Sequence, residues 1–452
     1  MSPLTSFSKK FGLSHTKEVI ARNLFWAICG KLASLVSGLI VGILIARYLG
    51  PERYGLMNYI ISFVFIFQTF ALFGLDNIEV REESKLHISY ETIIGTAFCI
   101  KFIFGVAFII LSIIVSCIME SDKEVIALVA LYSISIVLNS FNVIKNYFIS
   151  KVQNEYVVKV EIATILVSLV LKIMFLLTKA SLVWFILSAT LDFMFTAIGY
   201  SIAYKSKIGP IKKWRFNYRY AIFLIKESFP LMLTSAAVIV YQRIDQVMIG
   251  QMIDKEAVGY FSVASRFVEV LLYIPIILSQ TITPLLVQSL ERSYDEYRIK
   301  SQQFMNISVW FSLFASAIVS MIAYWLVKLT FGQAYIPAVV ILQIMSFKAA
   351  SVALSSTAGA MLITEGLQKY AIIRDSFGCL VCVVLNYIFL PKYGVIAAAF
   401  VAILSNLSAG FIADAFIPAY RHLFRMQVKT IVLGWRDLLS FKKILFDKGY
   451  VE

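Results

Sequence analysis

Ionisable side chains interrupt the long apolar runs of this sequence, and the chemistry they offer is the binding of charge. The basic ones are Lys31, Arg47, Lys101, Lys172, Arg243, Arg266 and Lys348. The acidic ones are Glu161, Asp192, Asp245, Glu269, Asp375 and Asp414. A Lys, Arg or Asp at the centre of a membrane helix costs roughly 2.5 to 3.5 kcal/mol on insertion scales, so such residues usually face a bundle interior or a wet cavity. The excess of base over acid predicts a cavity for an anion.

Some of these residues also have a purely structural explanation. Residues within about two turns of the end of a run can extend their charged heads to the membrane surface. They are Arg47, Lys172, Glu161, Asp375 and Asp414. Arg266 and Glu269 are three residues apart on one helix face and can neutralise each other. The residues that are hardest to explain in this way are Lys31, Lys101, Arg243, Asp245 and Lys348.

The apolar runs that carry these residues indicate that the protein lies in a lipid bilayer. Hydrophobic residues make up 60% of the chain and charged residues 15%, against about 25% charged residues in soluble domains. Twelve runs between Leu24 and Tyr420 are long enough to cross a bilayer core, which takes about 20 residues of helix. They are too continuously apolar for the alternating strands of a membrane β-barrel. The sequence therefore predicts an all-α polytopic membrane protein with twelve transmembrane helices.

A repeat divides the chain into two halves. The string LIARYLGPERYG begins at Leu44, and MIGQMIDKEAVG begins 204 residues later at Met248, with Glu and Gly at matching positions. Each copy ends one apolar run and begins another, and transporters are commonly built from such repeats. Because each half holds an even number of helices, both halves enter the membrane in the same orientation. The prediction is two six-helix lobes related by a parallel pseudo-twofold repeat.

Basic residues in the loops predict the orientation and the segments. With both ends inside, 28 of the 41 Lys and Arg residues fall on the cytoplasmic side and six on the opposite side, as the positive-inside rule expects. This spread also accounts for the net charge of +14 and argues against nucleic-acid binding. The predicted segments are a cytoplasmic amphipathic segment at 1–23, an N-terminal lobe at 24–204, a basic linker at 205–228, a C-terminal lobe at 229–420 and a basic cytoplasmic tail at 421–452.

Motifs for covalent chemistry are missing from the sequence. It contains no Gly-rich phosphate loop, no nucleophile elbow and no metal cluster, and its three histidines are far apart. Cys379 and Cys382 form a C-x-x-C pattern, which buried packing explains better than redox or metal chemistry. The chain is therefore predicted not to be an enzyme, with no catalytic residue, no metal site and no cofactor beyond a coupling ion, Na+ or H+.

Three strings carry a family resemblance: IARYLGPERYG, YQRIDQVMIGQMIDKEAVGYFSVASR and NYIFLPKYGVIAAAFVAILSN. With them, the chain resembles the polysaccharide and O-antigen flippase family of the multidrug/oligosaccharidyl-lipid/polysaccharide (MOP) exporter superfamily. The resemblance implies alternating access that moves an undecaprenyl-pyrophosphate-linked oligosaccharide, an O-antigen or other surface polysaccharide repeat unit, across the bacterial cytoplasmic (inner) membrane. The expected partners are this lipid-linked oligosaccharide, the lipid bilayer and other polysaccharide-assembly membrane proteins.

The resemblance also implies roles for charged residues. Arg47 lies in an AR-x-LG string, which in related lipid flippases places an arginine in the central cavity. The rest of the cationic lining that would bind the pyrophosphate is expected from Lys31, Lys101, Arg243, Arg266 and Lys348. Asp245 is the first candidate for coupling to a proton or sodium gradient, and Asp375 is the second.

Three alternatives stay open from the sequence. A MATE-type drug/cation antiporter would want acidic residues in its cavity. A flippase for the peptidoglycan precursor usually has two further helices. A membrane polysaccharide polymerase or ligase, which is a different class of protein, typically has a large outer loop, and no outer loop here exceeds about ten residues.

Overall fold

The computed structural model describes residues 15–85 and 88–436, with the backbone alone described at 15–25, 27–29 and 32–33. Every regular element in these ranges is helical, which confirms the predicted all-α class. Most of the predicted N-terminal amphipathic segment lies outside the described residues, and so does the end of the predicted tail.

Helices in the first half of the chain are long and joined by short turns. They are α1 His15–Ala71, α2 Leu75–Lys85, α3 Tyr90–Met119, α4 Lys123–Leu138, α5 Asn142–Ser150, α6 Asn154–Leu177 and α7 Leu182–Lys207. A single 3-10 turn at Asn139–Phe141 joins α4 to α5. The fourth of the twelve predicted runs, at 125–148, is therefore a broken helix, and its break brings amide side chains to the surface of a cavity described below.

The second half of the chain follows the same plan. Its helices are α8 Tyr218–Met252, α9 Lys255–Arg292, α10 Tyr294–Thr330, α11 Ala338–Met345, α12 Lys348–Thr364, α13 Ala371–Tyr393, α14 Val395–Leu407, α15 Ala413–Phe416 and α16 Arg421–Leu433. A turn of π-helix at Ser408–Ile412 connects α14 to α15. Such turns often occur at functional sites, and this one borders the candidate site.

Eleven segments of the described chain are long and apolar enough to cross a membrane. The first, Ser34–Lys85, contains a break at Gly50, where φ is 74° and ψ is 172°. Glycine adopts this backbone conformation readily, and Pro51 after it suits the first position of a helix because no N–H donor is needed there. The segment thus contains the later part of the first predicted run, at 24–46, and all of the second, at 54–75, and the protein is a multi-pass membrane protein. The N-in/C-in orientation stays a prediction.

The chain packs as two compact units. The first unit combines the chain up to Leu49 with Ile60–Ala236, and the second combines Gly50–Tyr59 with the chain from Ala237 onwards. In the first unit α3 packs on α4, and both α4 and α6 pack on α7. In the second unit α9 packs on α10 and α12. The predicted lobes, at 24–204 and 229–420, stay a prediction.

The two copies of the sequence repeat meet inside the second unit. A Cβ atom added to Gly55 would lie 1.7 Å from the backbone oxygen of Lys255, and one added to Gly259 would lie 2.2 Å from the backbone oxygen of Pro51. Backbones this close leave no room for a side chain at either glycine. The matching glycines of the repeat are therefore explained by a direct contact between the start of the second segment of α1 and the start of α9.

Candidate binding site

A cavity of about 500 Å³ opens among α8, α9, α12 and α13 in the second unit. Its polar lining consists of amide, hydroxyl and charged side chains: Tyr241, Gln242, Arg243, Asp245, Gln246, Ser265, Glu269, Tyr273, Lys348, Ser355, Ser356, Arg374, Asp375 and Asn406. Five of these fourteen residues, from Tyr241 to Gln246, lie on α8, so this helix supplies about a third of the polar side chains that line the cavity. We refer to this space as the second-unit cavity.

Glu269 on α9 lies between two arginines in the wall of the second-unit cavity. Its carboxylate oxygens are 3.6 Å from Nη2 of Arg243 and 3.7 Å from Nη1 of Arg266. All three side chains are about one third exposed. These distances are too long for hydrogen bonds, so Glu269 attracts the two guanidinium groups electrostatically without a hydrogen bond to either.

Lys348, the first residue of α12, is the deepest cation of the cavity. Its side chain is 7% exposed, and Asp245 is the opposite charge that acts on it most strongly. No hydrogen bond or ion pair joins its ammonium group to any residue of the described chain. Burying an ammonium without a partner is costly, which makes this position a candidate for contact with a bound anion.

Asp245 on α8 is 1% exposed and is held by neutral donors. Its Oδ1 atom accepts a hydrogen bond from Nδ2 of Asn386 at 2.6 Å and one from Sγ of Cys382 at 3.3 Å. Both donors lie on α13, one helical turn apart. Cys382 therefore packs and donates a hydrogen bond to a carboxylate, in agreement with the structural interpretation of the C-x-x-C pattern.

A third group of charges lies at the start of α13. Nε of Arg374 donates to Oδ1 of Asp375 at 3.2 Å, while the buried Nη1 of the same arginine has no hydrogen-bond partner among the described residues. Asp414 lies within the electrostatic reach of Arg374 and accepts a hydrogen bond from Nε2 of Gln427 at 3.1 Å. The guanidinium of Arg374 therefore keeps unused donor capacity inside the cavity wall.

The charges that line the second-unit cavity are balanced in number. The cations are Arg243, Lys348 and Arg374, and the anions are Asp245, Glu269 and Asp375. Arg266, which contacts Glu269 from outside this lining, adds one further positive charge. The sequence predicts a cationic cavity here, and the structure instead places acids among the bases, with a small excess of base.

The first unit contains a cavity of its own, of about 550 Å³. Lys31 on α1 and Lys145 on α5 line it, together with Glu161, Asp192 and a group of polar side chains: Ser34, Asn139, Asn142, Asn154, Thr164, Thr196 and Tyr200. Glu161 accepts a hydrogen bond from Nζ of Lys145 at 2.8 Å. Asp192 accepts one from Nζ of Lys172 at 2.7 Å. The carboxylates of this cavity are thus directly paired.

Lys101 on α3 is placed in neither cavity. It is 1% exposed, and its Nζ atom lies 2.7 Å from both Asp76 and Glu79 on α2. Nδ2 of Asn146 on α5 donates to the same two carboxylates at 2.8 and 2.6 Å. This ammonium is neutralised by the protein itself and ties α3 to α2.

The structure brings part of the predicted set together. Arg243, Asp245, Lys348 and Asp375 line the second-unit cavity, and Arg266 adjoins it. The remaining predicted residues lie in the first unit, where Lys31 lines the cavity, Lys101 is buried against α2, and Arg47 is exposed on α1 outside the two cavities described above.

Sequence reasoning missed two basic residues of the cavity walls. They are Arg374 and Lys145, which belong to the 28 Lys and Arg residues that the sequence predicts to lie on the cytoplasmic side. The signal that could have identified Arg374 is its position next to Asp375 within the first turn of a run, since adjacent opposite charges inside an apolar segment lower the cost of burying either one.

Two protein families match the sequence. The family described as Polysaccharide biosynthesis protein matches residues 20–290, which are 271 of the 452 residues. The family described as MatE matches residues 230–388. A comparison with curated proteins finds no match.

Solved structures with the same fold are transporters and flippases. Lipid II flippase MurJ in an inward closed conformation matches with a TM-score of 0.71 and 14% identity, over 92% of this chain and 93% of that chain. An inward-facing multidrug resistance MATE family transporter of the MOP superfamily gives 0.68 and 14%, over 87% and 95%. A MOP superfamily transporter from Pyrococcus furiosus, described as having a binding pocket of reverse polarity, gives 0.62 and 16%, over 91% and 96%. The fold is therefore that of the MOP superfamily, and the matched proteins are not enzymes, as the sequence predicts.

Proposed function

Since this chain belongs to the polysaccharide biosynthesis protein family, we propose that it is a flippase for an undecaprenyl-pyrophosphate-linked oligosaccharide. Its substrate would be the repeat unit of O-antigen or of another surface polysaccharide, carried across the bacterial cytoplasmic membrane by alternating access. The observation that carries the proposal is Lys348, a buried ammonium without a partner in the described chain, in a cavity that also holds Arg243.

A pyrophosphate group meets the needs of this part of the cavity. An ammonium offers three donors, and phosphate oxygens would satisfy them with charge-assisted hydrogen bonds. Arginine suits the same ligand, because its planar guanidinium can donate two parallel hydrogen bonds to phosphate. Arg243 lines the cavity, and its Nη2 atom lies 3.6 Å from the Glu269 carboxylate, beyond hydrogen-bonding distance.

The neutral lining supports an oligosaccharide as the remainder of the substrate. Gln242, Gln246 and Asn406 present amides, and Ser265, Ser355 and Ser356 present hydroxyls. Sugars are recognised by such groups, which both donate and accept hydrogen bonds. The polyprenyl tail needs no polar site, since it remains in the lipid.

Asp245 is the residue we propose for ion coupling. It acts electrostatically on Lys348, and its Oδ1 atom accepts hydrogen bonds from two neutral donors on α13, Asn386 and Cys382. A cation bound to Asp245 would cancel its attraction for Lys348 and leave that ammonium to the anion. Binding of the ion would thus change the affinity of the site for the pyrophosphate, and the pyrophosphate would change the affinity for the ion by the same factor, as reciprocal linkage requires. Asp375 is the weaker candidate, because Arg374 already neutralises it.

Deletion of the gene followed by analysis of lipid-linked intermediates tests the proposed function. Undecaprenyl-linked repeat units should accumulate on the cytoplasmic face of the membrane, and the intact gene should restore their export. An unchanged amount and location of these intermediates would contradict the proposal. Asp245→Asn in the restored strain tests the coupling, because it should remove the dependence of export on the ion gradient while the folded amount of protein stays normal.

A MATE-type drug/cation antiporter is the second candidate. It is favoured by the MatE match over residues 230–388 and by the three acids of the cavity, Asp245, Glu269 and Asp375. Drug sensitivity and the amount of lipid-linked sugars in a deletion strain distinguish the two candidates. If the chain is an antiporter, deletion should increase sensitivity to cationic drugs and leave lipid-linked sugars unchanged.

A further inference from the structure

A second cavity of the second unit lies between the start of α10 and the helix α16. It has a volume of about 980 Å³, and we call it the α10–α16 groove. Its basic lining consists of Arg298, His422, Arg425, Lys429 and Arg436, and its acidic lining of Asp295 and Glu365. The proposed transport cavity uses none of these residues.

Glu365 does not neutralise the arginines and the lysine of the groove. Its carboxylate accepts a hydrogen bond from the hydroxyl of Tyr297 at 2.8 Å and lies 2.8 Å from Nε2 of His422. The exposed side chains of Arg298, Arg425 and Lys429 make no hydrogen bond or ion pair with any described residue. The groove therefore carries an excess of positive charge that this part of the chain leaves uncompensated.

The wall formed by α16 is held in place by buried polar contacts. Nε2 of Gln427 donates to the backbone oxygen of Gly410 at 2.6 Å, and Oγ1 of Thr430 donates to Oδ1 of Asn306 at 2.6 Å. Arg425 and Lys429 are four residues apart and share the face that points into the groove. Their positions are therefore set by the fold, and little ordering is needed when a ligand binds.

Exposed apolar side chains stand beside these cations. On α16 and just after it they are Val428, Ile431, Val432, Leu433 and Trp435, and Ile299 on α10 is 59% exposed. A helix with basic residues on one side and exposed aliphatic and aromatic residues on another lies in the plane of a membrane surface. A ligand with both a phosphate and acyl chains would contact both kinds of surface.

We propose that the α10–α16 groove binds the phosphate of an anionic phospholipid headgroup at the membrane surface. Arg298, Arg425 and Lys429 contact the phosphate oxygens, and the acyl chains pass along the apolar side chains of α16. This lipid is a resident ligand and not the transported substrate. The groove would then hold the end of the second unit at the surface of an anionic leaflet, whether or not the chain is a flippase.

Lipid retention measured by native mass spectrometry tests this assignment. The full-length protein is purified from micelles containing equal amounts of phosphatidylglycerol and phosphatidylcholine, and the lipids that remain bound are quantified. Wild type should retain phosphatidylglycerol preferentially. Because each basic side chain near an anionic surface contributes attraction, retention should fall about fivefold in Arg425→Gln or Lys429→Gln and about 25-fold in the double variant.

The matched control is Arg421→Gln, which removes the same charge from the same helix but from outside the groove. It should retain phosphatidylglycerol within about twofold of wild type, because its charge is not held against the ligand. Equal losses in Arg421→Gln and in the groove variants would overturn the proposal in favour of diffuse surface charge. Displacement of the lipid by inorganic pyrophosphate at micromolar concentration would overturn it in favour of a soluble phosphate ligand. Arg298→Gln, on the opposite wall, repeats the test if the double variant is unstable.

Discussion

In the first unit, buried or half-buried ammonium groups reach carboxylates at hydrogen-bonding distance. Lys101 is 2.7 Å from both Asp76 and Glu79, and Lys172 is 2.7 Å from Asp192. In the second unit the carboxylate of Glu269 lies farther from its neighbouring cations, at 3.6 Å from Arg243 and 3.7 Å from Arg266. These lysines of the first unit thus form hydrogen-bonded pairs with carboxylates, whereas the two arginines beside Glu269 do not form such a bond with it.

This difference separates structural charges from charges that can serve a ligand. A distance of 2.7 Å between an ammonium nitrogen and a carboxylate oxygen is a charge-assisted hydrogen bond, and it uses the donor. A distance of 3.6 Å is no hydrogen bond, so a pair at this distance does not use a donor of the cation on that carboxylate. Burial of a charge is therefore a poor marker of a binding site by itself, and a buried charge without a tight partner is a better one.

The largest effect should come from breaking the tight cluster of the first unit. Lys101→Met leaves Asp76 and Glu79 without their counter-charge, and removing one partner of a buried ion pair costs about 3 to 5 kcal/mol. We expect the free energy of unfolding in detergent micelles to fall by this amount and the folded yield to fall with it. Loss of export in this variant would follow from loss of folded protein.

A triple variant provides the control for that experiment. Adding Asp76→Asn and Glu79→Gln to Lys101→Met removes the whole charge cluster and should recover most of the lost stability, because no charge then remains buried alone. A triple variant that folds normally but cannot export would contradict a purely structural role for Lys101. It would support the role in substrate binding that the sequence predicts for this residue.

The sequence predicts which charged residues lie within apolar segments, and it does not predict how these residues pair. The cost of inserting a charged residue into a membrane does not depend on how the helices are arranged. The sequence alone can therefore single out Arg243, Asp245 and Lys348. The partners of Lys101 lie on α2, in a segment predicted to be a cytoplasmic loop. Pairing across helices depends on their packing and depth, which periodicity within one helix does not encode.

Local departures from ideal helical geometry also could not be predicted from the sequence. The π-helix at Ser408–Ile412 and the separation of α11 from α12 just before Lys348 have no distinctive residue pattern. The repeat aligns Gly55 with Gly259, but this alignment does not predict that the two glycines lie in contact. Their direct approach could be seen only in the packed structure.

A smaller effect should follow when a tight pair of the first unit is replaced as a whole. Lys172→Met with Asp192→Asn removes both charges, so the free energy of unfolding should change by less than about 1 kcal/mol and export should stay within about twofold of wild type. The control is the single variant Lys172→Met, which leaves Asp192 without its counter-charge and should be less stable than the double variant. A strong export defect in a stable double variant would show that the first-unit cavity takes part in transport.

The smallest effect concerns His422, a half-exposed residue outside the apolar segments. Its hydrogen bond to the Glu365 carboxylate raises the pKa of His422, so the folded state holds this proton more tightly than the unfolded state. The resulting stability is present below the ordinary pKa of about 6.5 and is lost as the pH rises through the raised value.

Because the ring is 38% exposed, this contribution should be less than about 1 kcal/mol. Thermal unfolding of wild type and His422→Gln across about pH 5.5 to 8 checks it. In wild type this pair makes the protein more stable at low pH than at high pH, and the variant should lack that difference in stability. Identical pH profiles for the two proteins would show that the pair adds no stability, unlike the buried pairs of the first unit.

The most direct test compares binding of undecaprenyl pyrophosphate to purified wild type, Lys348→Met and the Lys172→Met, Asp192→Asn double variant. If loosely held charge in the second unit is what binds the substrate, Lys348→Met should bind about 10 to 100 times more weakly, at unchanged stability. Lys348→Arg should recover part of the affinity, and the double variant should bind as wild type does. Wild-type affinity in a folded Lys348→Met protein would contradict the account.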